Sequence, residues 1–396
     1  MKILVTGAKG FVGRNLCLTL EQMSGMEVLK YDLGDEARLD AYITACDFVM
    51  HLAGVNRPKD PAEFRLGNTV FTEDILDRLA ARTDPPPVLL SSSIQAALDN
   101  DYGKSKAAAE EAVRAYGEKT GAPVYIYRLA NVFGKWCRPN YNSAVATWCH
   151  NIARGLPIQV RDPEATVTLV YVDDVVKSLV GCLEAFNAEK QRCRVAANGL
   201  ENSSASSAAL RPHVENNGML SVEPSYTRSL GEIVELMRSF HDEPRTLMVP
   251  DQRDGFAKKL YATYLAALPE DKFSYPLTMH CDNRGSFTEA LHSAERGQVS
   301  VNVSRPGIVK GQHWHHTKHE KFLVVSGEGV IRFRQMGMEE GRVLEYHVSG
   351  AKLEVVRIPP GYTHNIENTG AGDLVTLMWA NEVFDPANPD TFRQNV

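Results

Sequence analysis

Tyr102 and Lys106 form a Tyr-x-x-x-Lys pair, and three serines at positions 91–93 precede it. On a helix, residues four positions apart share a face, so we expect Lys106 beside Tyr102. A tyrosine hydroxyl titrates at about pH 10, and a nearby ammonium lowers that pKa by stabilising the phenolate. A serine hydroxyl can hold a substrate oxygen while the tyrosine gives or takes its proton. The pattern predicts a proton-transfer site for hydride chemistry; the alternative is an amphipathic helix that happens to carry both residues.

A second group of residues is suited to binding a dinucleotide. The segment 6–13, TGAKGFVG, follows a short apolar strand and opens a helical pattern. Glycines there allow a tight turn and a close approach of the backbone to a pyrophosphate at a helix N-terminus. The strand before and the helix after favour cofactor binding over a purely structural turn. The predicted cofactor contacts in this segment are Gly7, Lys9, Gly10, Phe11, Val12 and Gly13.

Two residues bear on the choice between NAD and NADP, and they disagree. Asp32 ends the second predicted strand, where a carboxylate accepts hydrogen bonds from the ribose hydroxyls and favours NAD. Lys9 adjoins the second glycine, where an ammonium could pair with a 2′-phosphate and favour NADP. Asp32 could also be a solvated turn residue. The residues alone leave the cofactor open.

A third group, near the C-terminal end, has the composition of a metal site. His313 and His315 are two residues apart, Glu320 follows, and His364 lies in the later segment PPGYTH. Residues two apart on a strand face the same side, so both early histidines can point into a barrel. Imidazoles with one carboxylate suit zinc, iron, manganese or nickel. His316 and His319 enlarge the cluster but are equally consistent with exposed loop positions.

The elements that position the first two groups alternate between strand and helix. Helical spacing over 11–23 follows the first strand, and the chain continues with further apolar runs. Alternating strands and helices predict a parallel, doubly wound sheet of Rossmann type. The predicted strands are 3–5, 26–31, 48–52, 87–91 and 124–127.

The rest of the chain changes character. Residues 196–225 are rich in Ser, Asn and Ala and predict a long surface loop or a disordered insertion. Short β-branched runs separated by Gly, Pro and Asn fill the last part and predict an all-β sandwich or barrel. We therefore expect an α/β domain over 1–245, a helical linker over 246–276, and an all-β domain over 277–396.

Composition excludes several classes of protein. The chain has 396 residues and a net charge of −6, which argues against nucleic acid as a partner because phosphate binding needs a basic surface. No apolar run reaches the roughly 18 residues of a membrane span. Seven scattered cysteines are typical of reduced thiols. These features predict a soluble cytoplasmic enzyme.

The first 245 residues resemble the extended short-chain dehydrogenase/reductases. The resemblance rests on TGAKGFVG, on HLAG at 51–54, on Asn68 and on YVDDV at 171–175. It implies Tyr102 and Lys106 as catalytic residues, with Ser93 favoured over Ser92 as the catalytic serine. It also implies cofactor contacts from Lys106 and from Leu52, Ala53 and Gly54.

The C-terminal segments resemble the two motifs of the cupins, GIVKGQHWHHTKHE and PPGYTHNIEN. The resemblance implies a double-stranded β-barrel in which His313, His315, Glu320 and His364 bind a divalent metal, with zinc as the expected ion. Two alternatives remain at this point. The barrel could be metal-free, with its histidines binding the substrate directly, or the metal could be mainly structural.

The combination of both parts resembles the bifunctional capsular-polysaccharide epimerase/reductases of CapF type. It implies a two-step reaction on UDP-2-acetamido-2,6-dideoxy-L-arabino-hexos-4-ulose, a UDP-linked 4-keto-6-deoxy-HexNAc. The cupin domain would invert C3, and the Rossmann domain would reduce C4 with NADPH, giving UDP-2-acetamido-2,6-dideoxy-L-talose for N-acetyl-L-fucosamine and surface polysaccharide. A homodimer is also expected. The alternatives are a nucleotide-sugar 4-epimerase or dehydratase with a structural cupin, and a non-catalytic sugar-nucleotide sensor.

Overall fold

The computed structural model describes residues 1–34, 36–197, 213–214, 219–337 and 342–396. They form two compact units. The first consists of Met1–Glu235 and Ala262–Leu268, and the second of Leu236–Tyr261 and Pro269–Val396. The predicted linker, residues 246–276, is divided between the two units.

The first unit is built on a seven-stranded sheet in the order β2-β1-β3-β4-β5-β9-β8. Its strands from β2 to β9 in that order are parallel. All four residues of β3 are buried, as expected for a strand covered on both faces. The predicted doubly wound sheet is confirmed. The strands of this unit are β1 Lys2–Thr6, β2 Glu27–Tyr31, β3 Phe48–His51, β4 Val88–Ser93, β5 Val124–Leu129, β6 Asn131–Phe133, β7 Thr166–Tyr171, β8 His213–Val214, β9 Leu220–Ser221 and β10 Ser225–Ser229.

The helices alternate with these strands. Helix α5, Asp101–Thr120, carries the predicted proton-transfer residues. It begins where the Asn100 side chain accepts a hydrogen bond from the Gly103 amide at 2.8 Å. It ends at Gly121, whose φ of 74° closes the helix in the left-handed conformation. The helices are α1 Phe11–Glu21, α2 Glu36–Ala45, α3 Ala62–Phe64, α4 Phe71–Ala80, α5 Asp101–Thr120, α6 Ala144–Ala153, α7 Val172–Ala197, α8 Leu230–Thr246 and α9 Gly255–Leu265, with a π-helical turn at Arg65–Val70 and 3-10 turns at Ile94–Ala97 and Glu270–Lys272.

The expectation of a surface loop over 196–225 is wrong where the structure describes this stretch at 219–222. Strand β9 pairs with β5, placing Leu220 opposite Tyr127. Met219, Leu220 and Val222 are buried and pack in the cores on the two faces of the sheet. Their apolar side chains supply a further strand, and burial of that surface outweighs the polar composition around them. Residues 198–212 and 215–218 lie outside the described residues.

The second unit contains two antiparallel sheets, in the orders β11-β12-β13-β20-β15-β18 and β17-β16-β19-β14-β21. Phe322 and Leu374 from the first sheet and Ile331 and Ile366 from the second belong to one buried core. The predicted all-β barrel is confirmed. Its strands are β11 Met279–Asp282, β12 Gly285–Ser293, β13 Gly297–Ser304, β14 Val309–Trp314, β15 Glu320–Ser326, β16 Glu328–Gln335, β17 Leu344–Ser349, β18 Val355–Ile358, β19 Tyr362–Asn368, β20 Leu374–Ala380 and β21 Phe392–Arg393.

Strand β13 turns its polar residues inward. Gln298, Ser300, Asn302 and Ser304 are buried, whereas the valines between them are only partly buried. Alternation along a strand sends successive side chains to opposite faces. The barrel interior therefore has a polar wall. This composition is typical of a ligand cavity and differs from that of a solid apolar core.

Candidate active site and metal centre

The glycine-rich loop lies between β1 and α1, directly against the end of β3. Gly7 has a φ of 69°, and a Cβ there would lie 2.8 Å from the Ala53 amide nitrogen. The Ala53 amide also donates to the Thr6 hydroxyl at 3.2 Å. The structure thus brings the loop together with the predicted cofactor residues Leu52, Ala53 and Gly54, and Phe11 and Val12 form the first turn of α1.

Lys9 and Asp32 meet at this loop. The Lys9 backbone amide donates to Asp32 Oδ2 at 2.8 Å. The carboxylate is therefore held at the loop by the backbone, and the exposed Lys9 side chain extends from the same place. Both residues remain candidates for contact with the ribose end of a dinucleotide.

Gly13 provides a direct test of the loop. A Cβ at this position would lie 2.0 Å from the Gly7 carbonyl oxygen, so the loop must move to admit it. Overpacking of this kind costs about 1–3 kcal/mol. We expect Gly13→Ala to weaken dinucleotide binding about 10-fold or more, measured by fluorescence titration with NADPH and with NADH. Gly372→Ala, at a glycine with no atom within 4 Å of the added Cβ, is the control and should leave the affinity unchanged; equal affinities would contradict a binding role for the loop.

Helix α5 brings Tyr102 to the end of β4. Tyr102 lies beside Ser93, whose side chain acts to lower the pKa of the tyrosine hydroxyl, and the Gln95 amide donates to Ser93 Oγ at 3.2 Å. The Ser92 hydroxyl is directed elsewhere, donating to the buried carboxylate of Glu110. Of the two candidate serines, Ser93 has the geometry to share a substrate oxygen with Tyr102.

Lys106 is buried one turn further along α5. Its ammonium donates to the Ser91 carbonyl at 3.1 Å. A Cβ at Gly54 would lie 3.2 Å from Lys106 Nζ. The lysine ammonium therefore lies between strand β4, which carries Ser91, and the predicted cofactor residue Gly54. Burial lowers the pKa of Lys106 to about 8.

The expectation that Lys106 lowers the pKa of Tyr102 is wrong for this arrangement. Burial raises the pKa of Tyr102, and the neighbouring Ser93 side chain offsets this only in part. The Lys106 ammonium is engaged with the Ser91 carbonyl, and burial reduces its own tendency to carry charge. Tyr102 is therefore held in its protonated form, the form that can donate a proton.

The predicted metal ligands converge in the second unit. One donor atom from each of His313, His315, Glu320 and His364 lies within 4.8 Å of the others. Glu320 Oε2 is 3.5 Å from His315 Nε2 and 3.4 Å from His364 Nε2. These atoms are buried and have no hydrogen-bond partner among the described residues. Buried polar atoms without partners are costly, and a cation would satisfy all of them, so the residues fit a divalent metal.

The protonation states also suit metal binding. Burial lowers the pKa of His313 to about 4, so this imidazole is neutral near pH 7 and keeps a lone pair for a metal. Burial acts to raise the pKa of Glu320, but the adjacent His315 and His364 side chains and the Lys318 ammonium bring it well below its usual range. A carboxylate with neutral imidazoles is a common donor set for zinc and similar ions. His316 and His319 are exposed and lie outside this group.

A β-bulge directs the first of these ligands. The register between β14 and β19 shifts between Gly311 and His313, which places His313 opposite His364. Gln312, between them, has a φ of 62°. A non-glycine residue in this conformation costs about 1–3 kcal/mol and needs support from its surroundings. Bulges commonly redirect a side chain toward a functional site.

Two of the predicted metal ligands border a cavity of about 650 Å³ in the second unit. His313 and His364 line it together with Asn302, Lys310 and Arg284. Lys310 Nζ donates to Asn302 Oδ1 at 2.8 Å and to the Val303 carbonyl at 2.9 Å. A cavity of this size accommodates a small organic ligand, and a metal held by the two histidines would be exposed to it.

Comparison with known proteins decides the family. Residues 3–196 match the NAD dependent epimerase/dehydratase family, and residues 280–392 match the Polysaccharide biosynthesis C-terminal domain. The UDP-2-acetamido-2,6-beta-L-arabino-hexul-4-ose reductase of Pseudomonas aeruginosa is 44% identical, with 100% of this chain and 99% of that protein covered. The crystal structure of the capsular polysaccharide assembling protein CapF from Staphylococcus aureus is 48% identical with a TM-score of 0.88, and both chains are covered completely. The chain belongs to the CapF family.

A second CapF crystal structure, with the inhibitor 3-isopropenyl-tropolone, is 44% identical over both complete chains with a TM-score of 0.83. The match to the CapF family thus includes both predicted sites and the chain between them. The UDP-glucuronic acid 4-epimerase of Bacillus cereus, at 18% identity and a TM-score of 0.51 over 67% of this chain, is similar in fold alone. Within the described part of this CapF-family chain, no helix has the length and apolar character to cross a membrane.

Three functional candidates in this CapF-family chain were missed from the sequence. Glu110 is buried and accepts hydrogen bonds from Ser92 and Arg128; its spacing of four from Lys106 was the available signal. The sequence around Lys310 gave no such signal, because a single lysine in a strand is common and indicates no particular function. Asp390 contacts His315 from 75 residues away along the chain, and no local pattern indicates such a contact.

Proposed function

We propose that this chain converts UDP-2-acetamido-2,6-dideoxy-L-arabino-hexos-4-ulose in two steps. The cupin domain inverts C3, and the Rossmann domain then reduces the C4 ketone with NADPH to give UDP-2-acetamido-2,6-dideoxy-L-talose. The observation that carries the proposal is the presence of two sites on one chain: Tyr102 beside Ser93 in the unit that carries the glycine loop, and four convergent donors for a metal, two of which line a cavity. The name of the Pseudomonas aeruginosa relative, a reductase of this UDP-4-keto sugar, supports the same substrate.

In the reduction, Tyr102 acts as the proton donor. NADPH, bound at the glycine loop, would supply the hydride to C4. Ser93 holds the ketone oxygen by a hydrogen bond, and Tyr102 transfers its proton to the alkoxide that forms there. Burial keeps Tyr102 protonated until it is needed. Lys106, anchored at Ser91, positions the cofactor next to this pair and supplies positive charge near the new oxyanion.

In the epimerisation, the C4 ketone makes the C3 proton acidic. A divalent metal, with zinc as the expected ion, would be held by His313, His315, Glu320 and His364 and would act as a Lewis acid toward the ketone. A general base takes the C3 proton while the electrons of the C3–H bond enter the enolate, and a general acid on the opposite face returns a proton to C3. The polar wall of Asn302 and Lys310 borders the same cavity and orients the sugar. The same ketone thus serves both steps.

Several further assignments belong to this proposal. NADPH agrees with the exposed Lys9 side chain at the loop. A cytoplasmic location agrees with the free buried thiols of Cys17, Cys46 and Cys182. A homodimer agrees with the outer face of the barrel sheet, where Leu377 is exposed and pairs in register with Val301; light scattering that gives a monomer at micromolar concentration would exclude it.

The experiment is an NADPH oxidation assay with the UDP-linked 4-keto-6-deoxy-HexNAc. UDP-N-acetylglucosamine, which has no ketone, is the matched control substrate, and NADH is the matched control cofactor. We expect oxidation of NADPH only with the keto sugar. Turnover of a sugar with no net cofactor consumption would instead support a 4-epimerase, and binding without turnover would support a sensor.

A further inference from the structure

The segment 390–396 runs along the strand that carries His313. Strand β21 within it pairs with the end of β14, placing Arg393 opposite His313 and Phe392 opposite Trp314. The Phe392 ring lies 5.1 Å from the Trp314 ring and 4.9 Å from the His316 ring. We call residues 390–396 the C-terminal segment. It covers the metal-ligand strand but contributes no ligand to the four-residue group.

Asp390 holds the loop that follows His315. Its carboxylate accepts hydrogen bonds from the backbone amides of His316, Thr317 and Lys318, each at 2.8 Å. The Thr317 hydroxyl donates to the same carboxylate at 3.0 Å. Successive amides that converge on one anion form a rigid turn, so this loop leaves the barrel in one fixed direction.

The Asp390 backbone carbonyl also contacts a metal ligand directly. It accepts a hydrogen bond from His315 Nδ1. This contact places the ring proton on Nδ1 and leaves Nε2 as the lone-pair nitrogen. Nε2 is the atom that faces Glu320 Oε2 at 3.5 Å. The hydrogen bond therefore sets both the tautomer and the direction of the ring.

The rest of the C-terminal segment supports the bulge beside His313. The Gln394 amide donates to the Gln312 carbonyl at 3.0 Å, and the Val396 amide donates to Gln312 Oε1 at 2.9 Å. Gln312 is the residue in the left-handed conformation. The hydroxyl of Thr363, which precedes His364, donates to the Gln394 carbonyl. The segment thus contacts His315 itself and the immediate neighbours of His313 and His364.

We propose that Asp390 is a positioning residue of the metal centre, and that the C-terminal segment sets the affinity of the three histidines for the ion. The inference rests on the proposed metal site. Partners that orient a histidine ligand commonly affect metal affinity as strongly as 10- to 100-fold. Asp390 would act through both its carboxylate, which fixes the loop, and its carbonyl, which fixes His315.

The test is the dissociation constant for Zn²⁺ of the full chain, measured by competition with a chromophoric chelator. Asp390→Asn keeps the side-chain shape but places an amide NH2 against one of the backbone N–H groups. We expect Zn²⁺ binding about 10- to 100-fold weaker than in the unmodified chain. Asp385→Asn is the control, because Asp385 also accepts a hydrogen bond from a backbone amide, that of Ala387 at 2.9 Å, but among the described residues accepts none from the loop after His315. The Zn²⁺ affinity of this variant should be unchanged.

The outcomes distinguish failure of the proposed metal site from failure of the positioning role of Asp390. If the unmodified chain does not bind Zn²⁺, the metal assignment fails and this inference with it. If the unmodified chain binds and Asp390→Asn binds as tightly as Asp385→Asn, the positioning role alone is overturned. If Asp390→Asn does not fold, the Thr317→Val variant provides the test, because it removes one hydrogen bond to the Asp390 carboxylate. We expect it to bind Zn²⁺ about 2- to 10-fold more weakly. Unchanged Zn²⁺ binding would overturn the positioning role of Asp390.

Discussion

Replacing Tyr102 with phenylalanine is expected to lower kcat for NADPH-dependent reduction by about 10²- to 10⁴-fold. The substitution removes the hydroxyl that lies beside Ser93 and leaves the ring in place. Without a proton donor, the alkoxide at C4 has no partner when the ketone is reduced. Because the phenyl ring still packs against Phe64, the fold and the affinity for NADPH should be preserved. Stopped-flow measurement of NADPH oxidation, with a separate binding titration, checks both statements.

Tyr116→Phe is the matched control, since it makes the same change on the same helix. The Tyr116 hydroxyl is buried and donates to the Pro86 carbonyl at 2.7 Å. Loss of this bond should cost about 1 kcal/mol in the free energy of unfolding and leave kcat unchanged. A Tyr102→Phe enzyme that reduces the ketone as fast as the Tyr116→Phe enzyme would show that the proton comes from another group.

Replacing His364 with glutamine is expected to slow solvent exchange at C3 by about 10²-fold or more. His364 lines the cavity and contributes one of the four donors, so the variant should bind Zn²⁺ at least about 100-fold more weakly. Loss of a Lewis acid worth several kcal/mol corresponds to a fall in exchange rate of about 10²-fold or more. The measurement is deuterium incorporation at C3 of the keto sugar in D2O without NADPH, which isolates the first step from the second.

His347→Gln provides the comparison for His364→Gln. His347 is an exposed histidine on β17 of the same barrel, so its replacement should change neither metal affinity nor exchange. If His364→Gln loses the metal but still exchanges the C3 proton at the normal rate, the metal is structural. If exchange is lost while NADPH affinity is retained, the barrel performs the first step.

Local pattern was sufficient for the elements that carry the chemistry. The parallel strands around TGAKGFVG and the helix with Tyr102 and Lys106 follow from alternation of apolar runs with helical spacing. The histidine pair at 313 and 315 follows from strand periodicity, and its convergence with His364 follows from the resemblance to the cupins. In each case the residues that act together are close in sequence or belong to a motif with fixed spacing.

The remaining features depend on contacts that no local pattern specifies. Burial of Met219 and Leu220 against the sheet turned part of a polar stretch into a strand. The pKa of Tyr102 is raised because burial outweighs its partner, and burial is a property of the assembled unit. Asp390 contacts the loop after His315 only once the barrel has closed. Such effects need the positions of atoms far apart in the chain.

The most direct test of the two-step account is NMR analysis of the product formed from the UDP-4-keto sugar and NADPH in D2O. The account predicts a reduced sugar with deuterium from solvent at C3 and protium from NADPH at C4, because one ketone undergoes proton exchange at its neighbour and then accepts the hydride. A reduced product with protium at C3 and unchanged C3 configuration would contradict it. The cupin domain would then contribute no chemistry, and the chain would be a reductase alone.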